Sequence, residues 1–408
     1  MDSITQITLG AAVGEAVLGR KIGNRAMIWG GIAGTIPDLD VLLGPFMTEM
    51  EALAFHRGPS HSLVFAICFP WLIALLTRWI YGKRIYQRPW YKWTIYISSL
   101  LVIGLFFWGI WAFVGEINGQ GNWLLAGLMA IFLLFIYWAL SRKYLLADLQ
   151  EINVSYRHWV WFFFLTIVTH PILDSFTSYG TQLLWPFSDT RIAWDNISVA
   201  DPFYTVPFLI CLIIAACYSR HNPWRSRWNW IGIIISSAYM IWTFSNQAKA
   251  TKVFEKYLEK NEIAYDDIKV SPSILNNFLW FGVAKSGETY HRGWWSTLDA
   301  RDETDRMWTV TGNHALLDGH RDEKEVGIMT WFSDGWYQVV PGQADTLEYY
   351  DLRYGFSSDT VEYTPQSIFG FKLIDRGDHL EVVSETDRPS GDFGSTFKAF
   401  YERASGIE

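Results

Sequence analysis

Residues 159–174 read WVWFFFLTIVTHPILD: an apolar run that ends on His170-Pro171-Ile172-Leu173-Asp174. Imidazole and carboxylate are costly near hydrocarbon, so an ionisable pair closing such a run marks a candidate functional site. His170 and Asp174 are spaced i, i+4, which on a helix puts both on one face. Pro171 removes a backbone donor and favours a kink or a helix start. Distorted backbone near membrane depth is tolerated where it lines a polar cavity.

Further apolar runs lie at 63–81, 94–114, 123–140, 203–218 and 230–246. A spanning helix needs about 20 residues, so 159–173 and 203–218 need flanking polar residues to complete a crossing. Segments 4–18 and 26–36 are shorter and rich in Gly and Ala, as in Gly10, Gly14, Gly30 and Gly34, which lets helices approach closely. The expected fold is an all-α polytopic membrane bundle of about eight apolar helices over 1–247. A small, mainly-β extramembrane domain is expected over 248–408. Within it, 251–267 read as an exposed amphipathic helix. Strand-like runs follow at 279–283, 291–297, 327–332 and 336–340, separated by turn signals such as Ser333-Asp334-Gly335.

Charge divides the chain at the same place. Residues 1–247 carry 16 Lys+Arg against 13 Asp+Glu, and residues 248–408 carry 17 against 28. A slightly basic apolar half and an acidic polar half suit a membrane domain with a solvated appendage. No basic stripe of the kind nucleic-acid binding needs is present, which sets that class aside. Cys68, Cys211 and Cys217 all lie in apolar runs and make no disulfide framework. The first residues lack the charged n-region of a signal peptide, so insertion is expected to rely on retained helices.

Basic loops alternate with base-poor ones. Arg20, Lys21 and Arg25, then Lys83, Arg84, Arg88 and Lys92, then Arg142, Lys143 and Arg157, then Arg220, Arg225 and Arg227 mark one side. Segments 37–62, 115–122 and 175–202 mark the other. By the positive-inside rule the basic loops are cytoplasmic. Eight crossings then put both termini, and the C-terminal domain, on the outer (periplasmic) side of the cell's inner membrane.

Two more polar islands fall on that outer side. Pro37-Asp38-Leu39-Asp40 places two carboxylates on one side of an extended backbone. His56-Arg57-Gly58-Pro59-Ser60-His61 brackets a Gly-Pro turn that can fold both imidazoles inward. Each island alone reads as well as a turn, a helix cap or an interfacial loop. Their convergence with His170 and Asp174 on one face argues for a single site.

Asp38, Asp40, His56, His61, His170 and Asp174 form a mixed Asp/His set suited to zinc or manganese. Six candidates exceed the three protein ligands of a mononuclear catalytic zinc, so more than one ion is expected. Such sites suit phosphoester hydrolysis, with Arg57 offering a bidentate donor to phosphate and Asp174 acting at the reaction centre. Glu15 reads as a packing group or a supporting residue. Asp201, before Pro202, reads as a helix cap. The expected partners are the bilayer and a lipid or other phosphoester substrate. A metal-ion carrier or sensor is the non-enzyme alternative, although it would want ligands near the midplane and paired repeats. An intramembrane zinc protease would want His-Glu-x-x-His, which is absent.

Over about residues 1–215 the chain resembles the bacterial membrane-bound metal-dependent hydrolases of the YdjM-like family. The resemblance rests on the N-terminal Met-Asp-x-x-Thr, Ile36-Pro37-Asp38-Leu39-Asp40, His56-Arg57-Gly58-Pro59-Ser60-His61-Ser62 and Thr169-His170-Pro171-Ile172-Leu173-Asp174. It implies a metal-dependent hydrolase. It also implies a distant likeness to the all-helical zinc-dependent phospholipases C, whose His-x-x-x-Asp pair His170 and Asp174 match in spacing. One departure is Thr5-Gln6, where many relatives have Thr-His. Glutamine is a poor transition-metal ligand, which implies one metal position fewer, or one filled by Asp2 or water.

Overall fold

The computed structural model describes residues 1–118, 123–146, 151–304, 306–343, 346–356, 367–377, 379–383 and 401–406. Its helices in chain order are α1 (Ser3–Ile22), α2 (Asn24–Thr35), α3 (Glu49–Phe55), α4 (Leu63–Gly82), α5 (Pro89–Asn118), α6 (Trp123–Leu140), α7 (Tyr156–Asp174), α8 (Pro202–Cys217) and α9 (Pro223–Lys260). Short 3-10 segments at Pro37–Phe46 and Pro59–His61 flank α3. Strands β1 (Asp267–Pro272), β2 (Leu279–Ser286), β3 (Thr289–Ser296) and β4 (Met307–Thr311) follow. After them come α10 (Lys324–Ser333), β5 (Tyr337–Pro341), β6 (Thr346–Phe356), β7 (Ser367–Asp375) and β8 (Leu380–Val383).

The chain divides into two compact units, Met1–Pro70 with Phe162–Glu408, and Trp71–Trp161. In the first unit α1 and α2 pack so closely that only glycine fits. A Cβ on Gly10 would lie 2.4 Å from the Gly30 carbonyl oxygen, and one on Gly30 would lie 2.3 Å from that of Gly10. Small residues at i, i+4 on both helices are what permit this approach. Polar pairs then lock α1 to α8 and α9. Thr5 Oγ1 meets Thr205 Oγ1 at 2.5 Å, and Asn229 donates to the Ala12 carbonyl at 3.0 Å. Arg225 makes a buried two-pronged pair with Glu15 at 2.6 and 2.5 Å. Glu15 is therefore a packing group, and Asp201 caps α8 by accepting from the Phe203 and Tyr204 amides.

The C-terminal part of this unit holds two antiparallel four-stranded sheets, β1-β2-β3-β4 and β5-β6-β7-β8. The far end of α9 covers the first sheet: Ala250, Val253, Phe254 and Leu258 are buried with Trp280, Ala284 and Trp295. The second sheet packs on α10, and Met50 of α3 joins that core beside Leu317, Val326 and Met329. The helix read from 251–267 is the end of α9 only as far as Lys260, where Asn261 caps it and the chain turns into β1, and it is covered on its apolar face instead of exposed. The run 327–332 is not a strand. It belongs to α10, where Val326, Met329 and Phe332 recur at helical spacing and are buried.

In the second unit α5 packs on α6 through Phe107–Phe132 (ring centroids 5.7 Å) and Trp111–Trp123 (6.4 Å). Tyr96 hydrogen-bonds Ser141 at 2.8 Å. The outward face is apolar, with Leu101, Val102, Leu105, Trp108, Leu128, Ile131 and Leu134 all exposed. Such a surface suits lipid, since soluble proteins rarely leave so large an apolar patch bare. The base-free connection 115–122 lies partly outside the described residues.

The expectation of about eight apolar membrane helices is overturned. Among the described residues two helices are long and apolar enough to cross a membrane, Leu63–Gly82 and Pro89–Ala112. They become three if α2 and Pro37–Phe46, bent by 43°, form one broken span. The other runs are helical but fail on length or polarity. Helix α2 has 12 residues and α8 has 16. Helices α1, α7 and α9 bury Gln6, Thr8, Glu15, Thr166, His170, Asn229, Ser236 and Thr243 against other parts of the chain. An apolar run read from sequence does not separate surface meant for lipid from surface meant for a protein core.

Candidate metal centre

Three chain segments bring four donor atoms to one point. Helix α7 presents His170 and Asp174 one turn apart, the segment after α2 presents Asp38, and Pro59–His61 presents His61. His61 Nε2 lies 3.1 Å from His170 Nε2, 3.4 Å from Asp38 Oδ1 and 3.3 Å from Asp174 Oδ2. His170 Nε2 lies 3.3 Å from Asp38 Oδ1 and 3.2 Å from Asp174 Oδ2. An ion held tetrahedrally about 2.0–2.1 Å from each donor has donor–donor edges of about 3.3–3.4 Å. All four atoms lie within 4.8 Å of one another, and the cluster can hold a metal ion.

The protons support the same reading. His170 Nδ1 faces the Gly34 carbonyl at 2.5 Å, and a carbonyl only accepts, so that nitrogen carries the hydrogen. Ser60 donates to Asp40 Oδ2 at 3.1 Å and faces His61 Nδ1 at 3.0 Å, so its oxygen accepts from that ring. As neutral rings both histidines therefore turn bare Nε2 lone pairs toward each other and toward two carboxylates. Four acceptors this close need positive charge among them, which a metal ion, or a proton on one ring, supplies. Asp174 Oδ2 is buried with no hydrogen-bond partner, although its other oxygen is held by Gln6 at 2.9 Å and by the Met1 amino group. Partners on Nδ1 that orient metal-ligating imidazoles, as the Gly34 carbonyl and Ser60 do here, are the usual support of such sites.

The remaining sequence candidates stand around this point. Asp40 and His56 pair at 3.1 Å (Oδ1–Nδ1), and Asp40 Oδ2 is 3.6 Å from His61 Nδ1. These two lie on the outer side of His61, away from the Nε2 cluster. Arg57 has φ 59°, a left-handed conformation uncommon for a residue with a side chain. It is held there because its amide donates to Asp40 Oδ2 at 3.2 Å and its carbonyl accepts from Gln182 at 3.0 Å. Its guanidinium donates to Thr177 at 2.8 Å and places Nε 3.5 Å from Asp174 Oδ2. Asp2 caps α1, accepting from the Ile4 and Thr5 amides at 3.0 Å.

Sequence reasoning missed three contributors. Gln6, set aside as a weak ligand, supports Asp174. Tyr179 lies between two guanidiniums, with Arg57 4.7 Å and Arg191 4.5 Å from its ring centroid. Burial pushes the Tyr179 hydroxyl above its ordinary range, opposed by Arg191 and Arg57. Burial likewise lowers Arg191, opposed by Tyr179 and Tyr354. The signal available in sequence was weak: Arg191 is the lone base in a base-poor connection, 175–202.

Fold and site together define a membrane protein whose helices converge on a buried His/Asp cluster able to hold a metal ion. The family profile described as YdjM inner membrane protein matches residues 1–120 and 122–250, and the chain belongs to that family. Inner membrane protein YbcI of Escherichia coli (strain K12) is 25% identical over 213 residues, 50% of this chain and 82% of the relative. Uncharacterized protein YfhP of Bacillus subtilis (strain 168) is 35% identical over 83 residues, 20% of this chain and 22% of that protein. The match thus spans most of one relative and about a fifth of the other. No solved structure matches. The four donor residues all fall inside the family match, and the two C-terminal sheets fall outside it.

Proposed function

We propose that the protein is a metal-dependent hydrolase of the inner membrane that cleaves a phosphoester at the outer face. The observation that carries the reading is the convergence of His61, His170, Asp38 and Asp174, with Asp174 Oδ2 buried and without a hydrogen-bond partner at the centre. These four would hold the ion. Zinc fits the nitrogen/oxygen set and the edge lengths best, with manganese second. Bound there, a divalent ion would supply Lewis acidity toward a phosphoryl oxygen and would acidify water toward neutral pKa.

Around that centre the chain's own residues have separate tasks. Gly34, and Ser60 with Asp40, fix the Nδ1 protons so that both Nε2 atoms stay aimed inward. Arg57 orients Asp174 and lends positive charge on the side where a phosphate would enter. Four protein donors complete a tetrahedron, and hydrolysis needs an open position. Asp38, 24% exposed where the other three donors are sealed, is the donor able to yield one. Substrate would approach on the side of Asp38 and His56, the latter 28% exposed.

That side is rimmed by exposed apolar residues: Leu39, Val41, Leu42, Leu43 and Phe46 on Pro37–Phe46, and Leu184, Trp185 and Phe187 on the 175–202 connection. Apolar and aromatic side chains around a polar site suit the membrane interface, and favour a lipid head group as substrate. The opposite pole of the bundle gathers Arg20, Lys21, Arg220 and Arg225, with Arg220 donating to the Lys21 carbonyl at 2.9 Å. Helix α1, 20 residues and thus about 30 Å long, separates the two poles. Basic pole inward puts the cluster outward. The likeness to zinc-dependent phospholipases C rests on the His-x-x-x-Asp spacing alone.

The test loads detergent-purified protein with zinc or manganese and screens phospholipids, polyprenyl phosphates and aryl phosphates, with Asp174→Ala and His61→Ala as controls. Turnover lost in both variants supports the reading. No turnover, together with ligand-dependent zinc flux in proteoliposomes, replaces it with a metal-ion carrier.

A further inference from the structure

We propose that Arg191 and the Tyr354 hydroxyl form a subsite for a phosphate-type anion, completed by the C-terminal domain and set across Tyr179 from the metal cluster. As a substrate subsite it rests on the hydrolase reading. As an anion site it does not.

Arg191 is surrounded by rings. Its guanidinium carbon lies 4.5 Å from the Tyr179 centroid, 4.3 Å from Phe332 and 5.4 Å from Trp331. Nε donates to the Tyr179 carbonyl at 3.0 Å, and Nη2 bonds the same oxygen. Those bonds tie down one edge of the fork. Nη1 is buried with no hydrogen-bond partner, and among the described residues no carboxylate lies in ion-pair range of Arg191. The Tyr354 hydroxyl, also buried and without a partner, belongs to the same aromatic cluster: its ring lies 5.2 Å from Phe369, which stacks at 5.6 Å on the Phe332 ring that Arg191 covers.

The neighbouring cations are already committed. Arg353, 5.1 Å from the Phe332 ring, is neutralised by Asp351 through contacts of 2.6, 3.0 and 3.2 Å. Arg57 is taken by Thr177 and Asp174. Arg191 alone of the three keeps a buried guanidinium edge without a counter-ion. Burying an uncompensated charge is strongly unfavourable, whereas aromatic packing would have been served by a neutral side chain. A planar guanidinium edge and a hydroxyl donor in one aromatic cluster match phosphate oxygens, which accept from both. Arg191 and Tyr354 are each partly exposed as residues, while Nη1 and the hydroxyl themselves are covered.

Phe332 and Tyr354 belong to α10 and β6, outside the family match, whereas Arg191 and Tyr179 lie inside it. The appended sheets would therefore supply the substrate-binding wall to a metal centre that the family segment carries.

The experiment titrates full-length, metal-loaded protein in detergent with inorganic phosphate and with dihexanoyl phosphatidic acid, following heat of binding. Arg191→Gln should weaken binding of both by about tenfold to a hundredfold, the range for a charged hydrogen bond. Tyr354→Phe, which removes only the hydroxyl, should weaken it by about fivefold. Tighter binding of the lipid than of phosphate assigns the subsite to a head group, and equal binding assigns it to a free phosphate group. Wild-type affinity in both variants overturns the proposal. The metal arm is separate: if Asp174→Asn protein lacks metal yet loses phosphate affinity only when Arg191→Gln is added, the anion site stands whatever becomes of the hydrolase reading.

Discussion

Replacing Asp40 and Asp174 in turn by asparagine separates a partner of the cluster from one of its corners. Asp174 Oδ2 lies 3.3 and 3.2 Å from the two Nε2 atoms, so it is one of the four donors. Asp40 instead reaches His61 on the Nδ1 side, 3.6 Å away directly and through Ser60. Loss of an outer partner costs about 10–100-fold in metal affinity, or about 1.4–2.7 kcal/mol. Loss of a charged donor costs more. A unit charge pair about 4 Å apart is worth about 4 kcal/mol at an effective dielectric of about 20, and a divalent ion in contact couples more strongly. Asp174→Asn should therefore weaken zinc by at least about a thousandfold. Competition against a chromogenic chelator, on detergent-purified protein at fixed pH, reads both constants. Equal losses in the two variants would refute the four-donor geometry and make Asp40 a direct ligand, as the six-residue set read from sequence allows.

Chelation should lower the thermal midpoint of the wild type. At a hundredfold excess over Kd a bound ion adds about 2.7 kcal/mol, and His170→Ala protein should be indifferent to the chelator. Gly30→Ala should destabilise by about 1–3 kcal/mol, because its Cβ would meet the Gly10 carbonyl at 2.3 Å. The same change should weaken metal binding, since Gly34 on that helix holds His170, and calorimetry with chelator competition checks both effects. Glu15→Ala should cost about 3–5 kcal/mol by stranding the Arg225 guanidinium; the double change Glu15→Leu with Arg225→Met should recover most of it in thermal unfolding. With Cys68 and Cys217 replaced, Ser188→Cys should label from outside and Gln87→Cys should not. The reverse pattern would put the site in the cytoplasm.

Much of the site was legible because its residue types are expensive where they occur. His170 and Asp174 end an apolar run, Asp38 and His61 sit in short polar islands, and each of those costs needs a reason. The glycines of α1 and α2 were equally readable, since only close helix approach explains Gly10, Gly14, Gly30 and Gly34 at helical spacing. The run 327–332 was misread because four to six apolar residues between turn signals suit a strand or a buried helix alike, and burial at Val326, Met329 and Phe332 decided for helix.

Sequence by itself determined a membrane protein with an Asp/His cluster and a polar C-terminal region rich in strands, because composition and local spacing carry the costs of burial and the periods of the backbone. Tertiary structure alone decided three further things. Among the described residues two or three helices, not about eight, are long and apolar enough to cross a membrane, because polar faces on α1, α7 and α9 are buried inside the chain. Asp38, His61, His170 and Asp174 form the close set while Asp40 and His56 stand behind His61, because which nitrogen of an imidazole faces inward depends on what binds the other. Tyr179 and Arg191 meet Phe332 from a strand-rich region far along the chain, and no local pattern encodes a contact that exists only once distant elements have packed.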